Sequence, residues 1–394
     1  MPNNWKIYKV GEFAKLRKEG IKPSDFNGEK YIGLEHIGQG NFLLDGIGDA
    51  SDVTSNKSKF VKGDILYGKI RPYFKKVYRP KFSGICSTDM LVINSSNEKI
   101  VTQNYLHQII KNQEFTDKAT ETSTGTKMPR ADWNSLKLWE LNLPPLPEQK
   151  AIANILSAID DKIENNLAIN KTLEDMAMAL YKNWFVDFGP FQDGEFIDSE
   201  LGLIPKGWEV KRLDEISSMS AGGDKPKNFS KERADGLEIP IYSNGISNEG
   251  LYGFTDNARI FEESVTVSAR GTIGYVCLRM QPYLPIVRLI SLVPKKEYVS
   301  SKFLFLCLQN ENIQGNGTTQ QQLTVPDFKE TKIITPNIDI IKDFNGIMDI
   351  AYNNIVSNKE ENQSLTKLRD TLLSKLISGE VRLKEFREKV EQVL

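Results

Sequence analysis

Nine basic side chains crowd into one short stretch, Lys57, Lys59, Lys62, Lys69, Arg71, Lys75, Lys76, Arg79 and Lys81, against the single acid Asp64. A cationic field of that density can hold a phosphate backbone, although a solvated lysine-rich surface is the plainer alternative. Reading a sequence of bases needs two kinds of residue, because phosphate contacts position a protein and base-edge contacts specify. Candidates in the first half are Lys69, Arg71, Lys75, Lys76 and Arg79, with Thr126, Lys127 and Arg130 in the loop Ser123-Thr124-Gly125-Thr126-Lys127. Candidates in the second half are Ser243, Asn244, Arg270 beside Gly271, and Thr319, Gln320, Gln321 and Gln322. Asn and Gln can pair bidentately with adenine and Arg with guanine, and flanking glycines let the backbone approach a duplex.

Catalytic constellations are missing. There is no G-x-x-x-x-G-K-[ST] phosphate loop, so an ATP-driven motor has no seat. Leu143-Pro144-Pro145-Leu146 lacks the polar side chain that would hold a flipped-out adenine amino group, and reads instead as the rigid start of a helix. Asp327, Glu330 and Lys332 are too close in sequence for a metal-dependent nuclease centre, which draws its parts from separate strands. With only His36 and His107, and with Cys86, Cys277 and Cys307 far apart, neither a zinc site nor a disulfide framework is expected. Both histidines are expected to be hydrogen-bonded surface or strand-end residues.

The elements that must position these residues come in duplicate. Trp5-Lys6-Ile7 with Val10-Gly11-Glu12-Phe13 is echoed by Trp208-Glu209-Val210 with Leu213-Asp214-Glu215-Ile216. Short strands broken by Gly and Pro follow in each copy, such as Gly63 to Gly68 and Ser264 to Ser268. Each copy then shows a Gly-Thr loop, an Asp-aromatic pair (Asp132-Trp133 and Asp327-Phe328), a proline (Pro144 and Pro336) and a long helix.

In the first helix Ile152, Leu156, Ile159, Ile163, Asn166, Asn170, Leu173, Ala177, Leu180 and Trp184 step by alternating fours and threes, the seam of a coiled coil. Adding 192 gives Phe344, Met348, Ala351, Ile355, Asn358, Asn362, Leu365, Arg369, Leu372 and Leu376, with the same two asparagines at the centre. A buried seam asparagine costs stability but fixes register. The first helix would be on the order of 57 Å long. Two such helices bury their seams most simply by packing antiparallel, which implies a pseudo-twofold axis with a globular domain at each end of a helical spacer. The expected fold is a tandem pair of α/β (α+β) domains separated by this antiparallel coiled coil. Duplex DNA repeats its groove about every 34 to 36 Å, so such a molecule suits two half-sites at a fixed separation. Trp184, Phe185 and Phe188 are expected to pack where the helix meets a globular domain, or to serve a protein interface.

The whole chain resembles the specificity subunit (HsdS type) of Type I restriction-modification systems. The resemblance rests on Leu143-Pro144-Pro145-Leu146-Pro147-Glu148-Gln149-Lys150, Trp184-Phe185-Val186-Asp187-Phe188, Leu201-Gly202-Leu203-Ile204-Pro205-Lys206-Gly207-Trp208-Glu209, and Leu372-Leu373-Ser374-Lys375-Leu376-Ile377-Ser378-Gly379-Glu380-Val381. It implies target recognition domains at 1–146 and 205–335 and conserved helical regions at 147–190 and 336–385. It further implies an asymmetric bipartite DNA target, with a gap set by the helices. Two methyltransferase subunits using S-adenosylmethionine would methylate adenine, and restriction subunits using ATP and Mg would be added in some complexes. The chain itself would be non-catalytic and hold no cofactor or metal. The alternative is a coiled-coil scaffold joining two protein-binding modules, with no DNA role.

Charge distribution separates these parts. The 394 residues carry 51 basic and 52 acidic groups, a net of −1 that disguises a polyanion-binding part. Residues 1–146 sum to +6, 147–204 to −7, 205–335 to +1 and 336–394 to −1. No apolar run approaches the roughly 18 residues of a membrane helix, and the N-terminal stretch is charged, so a cytoplasmic protein is expected.

Overall fold

The structure is a computed structural model in which residues 4–26, 28–125, 127–315 and 322–383 are described. It divides into two units, one of Met1–Ala168 with Asn358–Leu394 and one of Ile169–Ser357, so the boundary falls inside both long helices.

In the first unit, strand Lys6–Lys9 pairs antiparallel with Glu140–Leu143, which leads directly into the helix Leu146–Phe185. A four-stranded antiparallel sheet runs in the order Ala14–Leu16, Met90–Ser95, Ile65–Gly68, Val77–Tyr78. A second sheet of five short strands contains a parallel pairing of Lys30–Ile32 with Gly84–Cys86. The wholly apolar run Ile65–Tyr67 is buried on both faces, between that second sheet and the helices Gln103–Lys111 and Gln113–Glu121. Thr102 caps the first of these helices and Asn112 the second.

The second unit repeats the plan. Strand Glu209–Arg212 pairs with Lys332–Thr335, which leads into the helix Ile338–Ser378. The four-stranded sheet runs Ser217–Ala221, Ile290–Pro294, Ser264–Val267, Val276–Arg279, matching its counterpart strand for strand. Strands Ile239–Tyr242 and Leu284–Pro285 repeat the parallel pairing. The helix Ser301–Asn310 takes the place of Gln103–Lys111, capped by Ser300 where the first unit uses Thr102. The strand register shifts one feature of the sequence repeat. Asp132 caps the helix Trp133–Leu136, and its counterpart is Thr324, which caps Val325–Phe328; Asp327 lies inside that turn and accepts from the Thr324 hydroxyl. Both residue types satisfy free N–H groups, so the cap survives the change of residue.

Within the first unit the two long helices run antiparallel. Ile152, Leu156, Ile159 and Ile163 share a core with Leu372 and Leu376 and with half-buried Leu365. At its edge the Asn166 Nδ2 donates to Asn362 Oδ1 at 2.9 Å and to Glu361 Oε2 at 2.7 Å, and the Asn362 Nδ2 donates to the Ile163 carbonyl at 3.4 Å. Asn358, at the start of the first unit's second segment, is half-buried, and in the second unit the equivalent bond runs from Asn170 Nδ2 to the Ile355 carbonyl at 3.5 Å. There Phe344, Met348 and Ile355 are buried and Leu173 is half-buried. The seam also changes phase. Tyr181 and Phe185 are buried while Leu180 and Trp184 only flank them, and Tyr352 replaces Ala351 as the buried residue. The cause is the globular part: Phe185 packs on Phe303 and Trp208, and Phe305 on Tyr352, so the buried stripe rotates toward those rings.

The first unit instead carries charge at these positions. Arg369, 2% exposed, stands where the second unit has Ala177, and Asp160 where it has Tyr352. Asp160 accepts from fully buried Lys111 and lies 3.5 Å from Arg369 Nη1. Both cations stand over the Phe42 ring, at 4.6 and 4.7 Å. Burial, ahead of the attraction of Asp160, pulls the Lys111 pKa down. His107 lies on the same helix rather than at a strand end, and its buried Nε2 has no hydrogen-bond partner among the described residues. Its pKa is pushed well below the ordinary value by burial and then by Lys111 and Arg79. His36 accepts from the Gly33 N–H at 3.0 Å.

Candidate nucleic-acid interface

In the first unit three loops meet at one end of the four-stranded sheet. The Lys69 N–H donates to the Asp89 carbonyl at 2.9 Å, the Arg71 N–H to the Pro129 carbonyl at 2.8 Å, and the Ala131 N–H to the Lys69 carbonyl at 2.8 Å. Thr124 and Arg130 exchange both backbone bonds, closing the loop that carries exposed Lys127. Thr126 lies outside the described residues. The Asp89 carboxylate stands 3.9 Å from Lys69 Nζ and 3.8 Å from Arg130 Nε, holding two cations beside each other. Arg71 and Lys75, at φ 49° and 51°, bracket the turn Pro72–Phe74 in left-handed conformations. Tyr73 and Met128 are exposed at 51% and 52%. Cations interleaved with an exposed ring and a flexible thioether suit a phosphate backbone and base faces.

Much of the rest of the basic stretch is spent inside the fold, although Lys62 and Lys81 are exposed. Lys76 Nζ donates to the carbonyls of Leu34 at 2.5 Å and Ile37 at 2.7 Å, and Arg79 to the Gly63 carbonyl at 3.1 Å and Asn104 at 2.8 Å. Lys75 donates to Gln113 at 3.2 Å and lies 5.5 Å above Phe42. Burial lowers the pKa of all three. Lys57 is buried, and Lys81 pairs with Glu164 and Asp161 on the first long helix, its pKa raised to about 12 mainly by Glu164. Lys69, Arg71, Lys127 and Arg130 are therefore brought together, while Lys76 and Arg79 brace the loops from within.

The second unit builds the equivalent end differently. The Leu323 N–H donates to the Ala269 carbonyl at 3.0 Å, as Ala131 does to Lys69. Asn244 takes an internal role: its Oδ1 accepts from the Ala269 N–H and its Nδ2 donates to the Val287 carbonyl, both at 2.7 Å. Exposed Arg270 donates to Gln322 Oε1 at 2.9 Å. Ser243 bonds the Gly250 carbonyl through its N–H and lines an open pocket of about 210 Å³ with Asn244, Ile246 and Tyr252. Thr319, Gln320 and Gln321 lie outside the described residues. Two exposed cations missed in the sequence, Arg259 and Arg288, join this end: Arg259 donates to the Ala221 carbonyl at 3.2 Å, and the Arg288 N–H to the Gly222 carbonyl at 3.0 Å. Lys225 lies 3.4 Å over Phe229 and Lys231 3.9 Å over Tyr252. The signal for this edge was Gly222-Gly223 followed by Lys225, Lys227 and Phe229, a basic run with an aromatic after a flexible pair.

Asp327, Glu330 and Lys332 are each committed to another partner, Asp327 to the Thr324 hydroxyl. Glu330 pairs with Arg212, and Lys332 with Glu200. All three cysteines are buried. Among the described residues no cluster of His, Cys, Asp or Glu could hold a metal, and no helix is long and apolar enough to cross a membrane.

Two copies of one α/β framework, each continued by a long helix and each ending in exposed cationic loops, define a duplicated nucleic-acid-recognition protein. The chain belongs to the type I restriction modification DNA specificity domain family, matched over residues 2–175 and 205–367. It is 26% identical to the type I restriction enzyme HindI specificity subunit of Haemophilus influenzae, over 96% of this chain and all of that one. It is 29% identical to the MjaIX specificity subunit of Methanocaldococcus jannaschii, over 73% of this chain and 71% of that one. Its fold matches the crystal structure of the type I restriction-modification S subunit from M. genitalium with a TM-score of 0.62 at 17% identity, covering 96% and 97% of the two chains. It is thus a specificity subunit, which recognises a DNA target and leaves catalysis to partner subunits.

Proposed function

We propose that each unit reads one half of an asymmetric, bipartite DNA sequence and that the paired helices set the gap between the halves. The observation that carries this reading is the same framework with different chemistry at equivalent positions, Lys69 against Ala269 and Asp89 against Arg288. A duplicated scaffold with divergent loops suits two unlike half-sites. Helices of 40 and 41 residues, about 60 Å each if straight, are long enough to span more than one groove repeat. The Asn166–Asn362 bond supports a fixed register, as a ruler requires. In this reading DNA contacts come from Lys69, Arg71, Lys127 and Arg130 in the first unit and from Arg270 and Gln322 in the second. Two methyltransferase subunits bind the complex and methylate adenine with S-adenosylmethionine. Nuclease subunits using ATP and Mg join where the system also restricts.

Mapping methylated adenines in host DNA with and without the gene tests the target. A gapped motif that vanishes with the gene is expected; loss of no motif, with no complex formed between the chain and its methyltransferase, would leave the scaffold alternative. Matched four-residue insertions near Asn166 and Asn358 test the ruler. They add about 6 Å, so the gap should grow by roughly two base pairs while both half-sites stay the same. An unchanged gap would refute the ruler.

A further inference from the structure

The turn Ile286–Leu289 joins the parallel strand Leu284–Pro285 to the sheet strand Ile290–Pro294. Its counterpart in the first unit is Ser87–Met90: Met90 N–H donates to the Ser87 carbonyl at 3.0 Å and Leu289 N–H to Ile286 at 3.1 Å. Preceding bonds match too, Ser87 to the Ile32 carbonyl and Ile286 to the Tyr242 carbonyl. The two turns differ in hand. Val287 and Arg288 have φ of 53° and 61°, whereas Thr88 and Asp89 have none of the left-handed character. Consecutive left-handed residues normally require Asn or Gly, and a β-branched Val there is a steric outlier.

The surroundings hold this turn in place. The Val287 and Arg288 N–H groups donate to the carbonyls of Gly223 at 2.8 Å and Gly222 at 3.0 Å. A Cβ on Gly222 would meet Ile286 backbone atoms at 2.8 Å, so only glycine permits this approach. From the other side Asn244 clamps the Val287 carbonyl and ties it to the Arg270 loop. Arg259 and Arg270 each have a hydrogen-bond partner, but the exposed Arg288 guanidinium has none among the described residues. Val287 beside it is 47% exposed. Strain that the fold pins on an exposed, uncommitted cation points to use in binding.

We infer that Arg288 reads a guanine in the half-site of the second unit, donating to its O6 and N7, with Arg259 and Arg270 flanking it on phosphates or neighbouring bases. A planar two-donor fork matches the guanine edge, and the rigid turn aims it without a loss of loop entropy. The inference rests on the proposed DNA role of this face.

Arg288→Asn, which tolerates the left-handed backbone, and Arg288→Lys, which keeps the charge, are compared with the parent in the assembled methyltransferase complex on randomised duplexes. Arg288→Asn should reduce discrimination for guanine at one position of one half-site by roughly 5- to 150-fold, with Arg288→Lys in between and the other half-site unchanged. A uniform loss of affinity with a salt dependence lower by about one phosphate would make Arg288 a backbone contact and overturn the inference. Unchanged base preferences in both variants would overturn it as well. A parent complex that selects no sequence would refute the DNA reading itself, a result distinct from either.

Discussion

Asp160→Ala offers a severe test of how the first unit is held to its helices. Lys111 and Arg369 are 0% and 2% exposed at their side chains, and both face the Asp160 carboxylate, itself 21% exposed. Removing it leaves two buried cations over the Phe42 face, with the Asn41 carbonyl and Asp370 engaging Arg369 alone. Breaking a buried pair costs about 3–5 kcal/mol, and the partial exposure of Asp160 places this case near the lower end, about 3 kcal/mol. For a unit of this size that is a fall of about 6–12 °C in Tm. Calorimetry of the purified chain, with Trp5, Trp133 and Trp139 fluorescence reporting on the first unit, would measure it. The second unit fills the equivalent seam positions with Tyr352 and Ala177, so charge is not obligatory there. The triple change Lys111→Met, Asp160→Leu, Arg369→Met should accordingly lie within about 1 kcal/mol of the parent. A cost below 1 kcal/mol for Asp160→Ala, or a triple variant less stable than the single one, would refute the reasoning.

Two further outcomes follow from the same packing. His107 is held neutral with a pKa well below 6.5, so below that pH the unfolded chain binds a proton that the folded one does not. Unfolding free energy should therefore fall as pH drops below about 6.5, by up to about 1.4 kcal/mol per pH unit from this group. His107→Phe, copying Phe305 of the second unit, should remove that part of the slope between pH 6.5 and 5; an identical slope would count against a neutral buried ring. In the seam, Asn166→Ala and Asn362→Ala should show a coupling of about 1 kcal/mol in a double-mutant cycle, reflecting their 2.9 Å bond. Strictly additive effects would mean that the amides do not recognise each other.

The duplication and the helix seam were legible in the sequence because both are local periodicities. A 3.5-residue repeat needs no knowledge of what lies across the interface, and two asparagines recurring at the same offset mark the same seam twice. Periodicity failed where another surface intervened: the rings of Phe303 and Trp208 turn the buried stripe from Leu180 and Trp184 to Tyr181 and Phe185.

Which cations face outward was decided only by the tertiary structure. Composition marked Lys69, Arg71, Lys76 and Arg79 alike, yet the last two reach carbonyls at Leu34, Ile37 and Gly63, distant in the chain and near only after the sheets form. Arg288 had no sequence signal, since its place depends on the hand of a turn and on Gly222 and Asn244 closing around it. Sequence by itself determined the two-copy plan, because repeated spacing encodes repeated backbone. Folding alone decided which charges it buries and which it leaves for a partner, because desolvation depends on neighbours that spacing does not reveal.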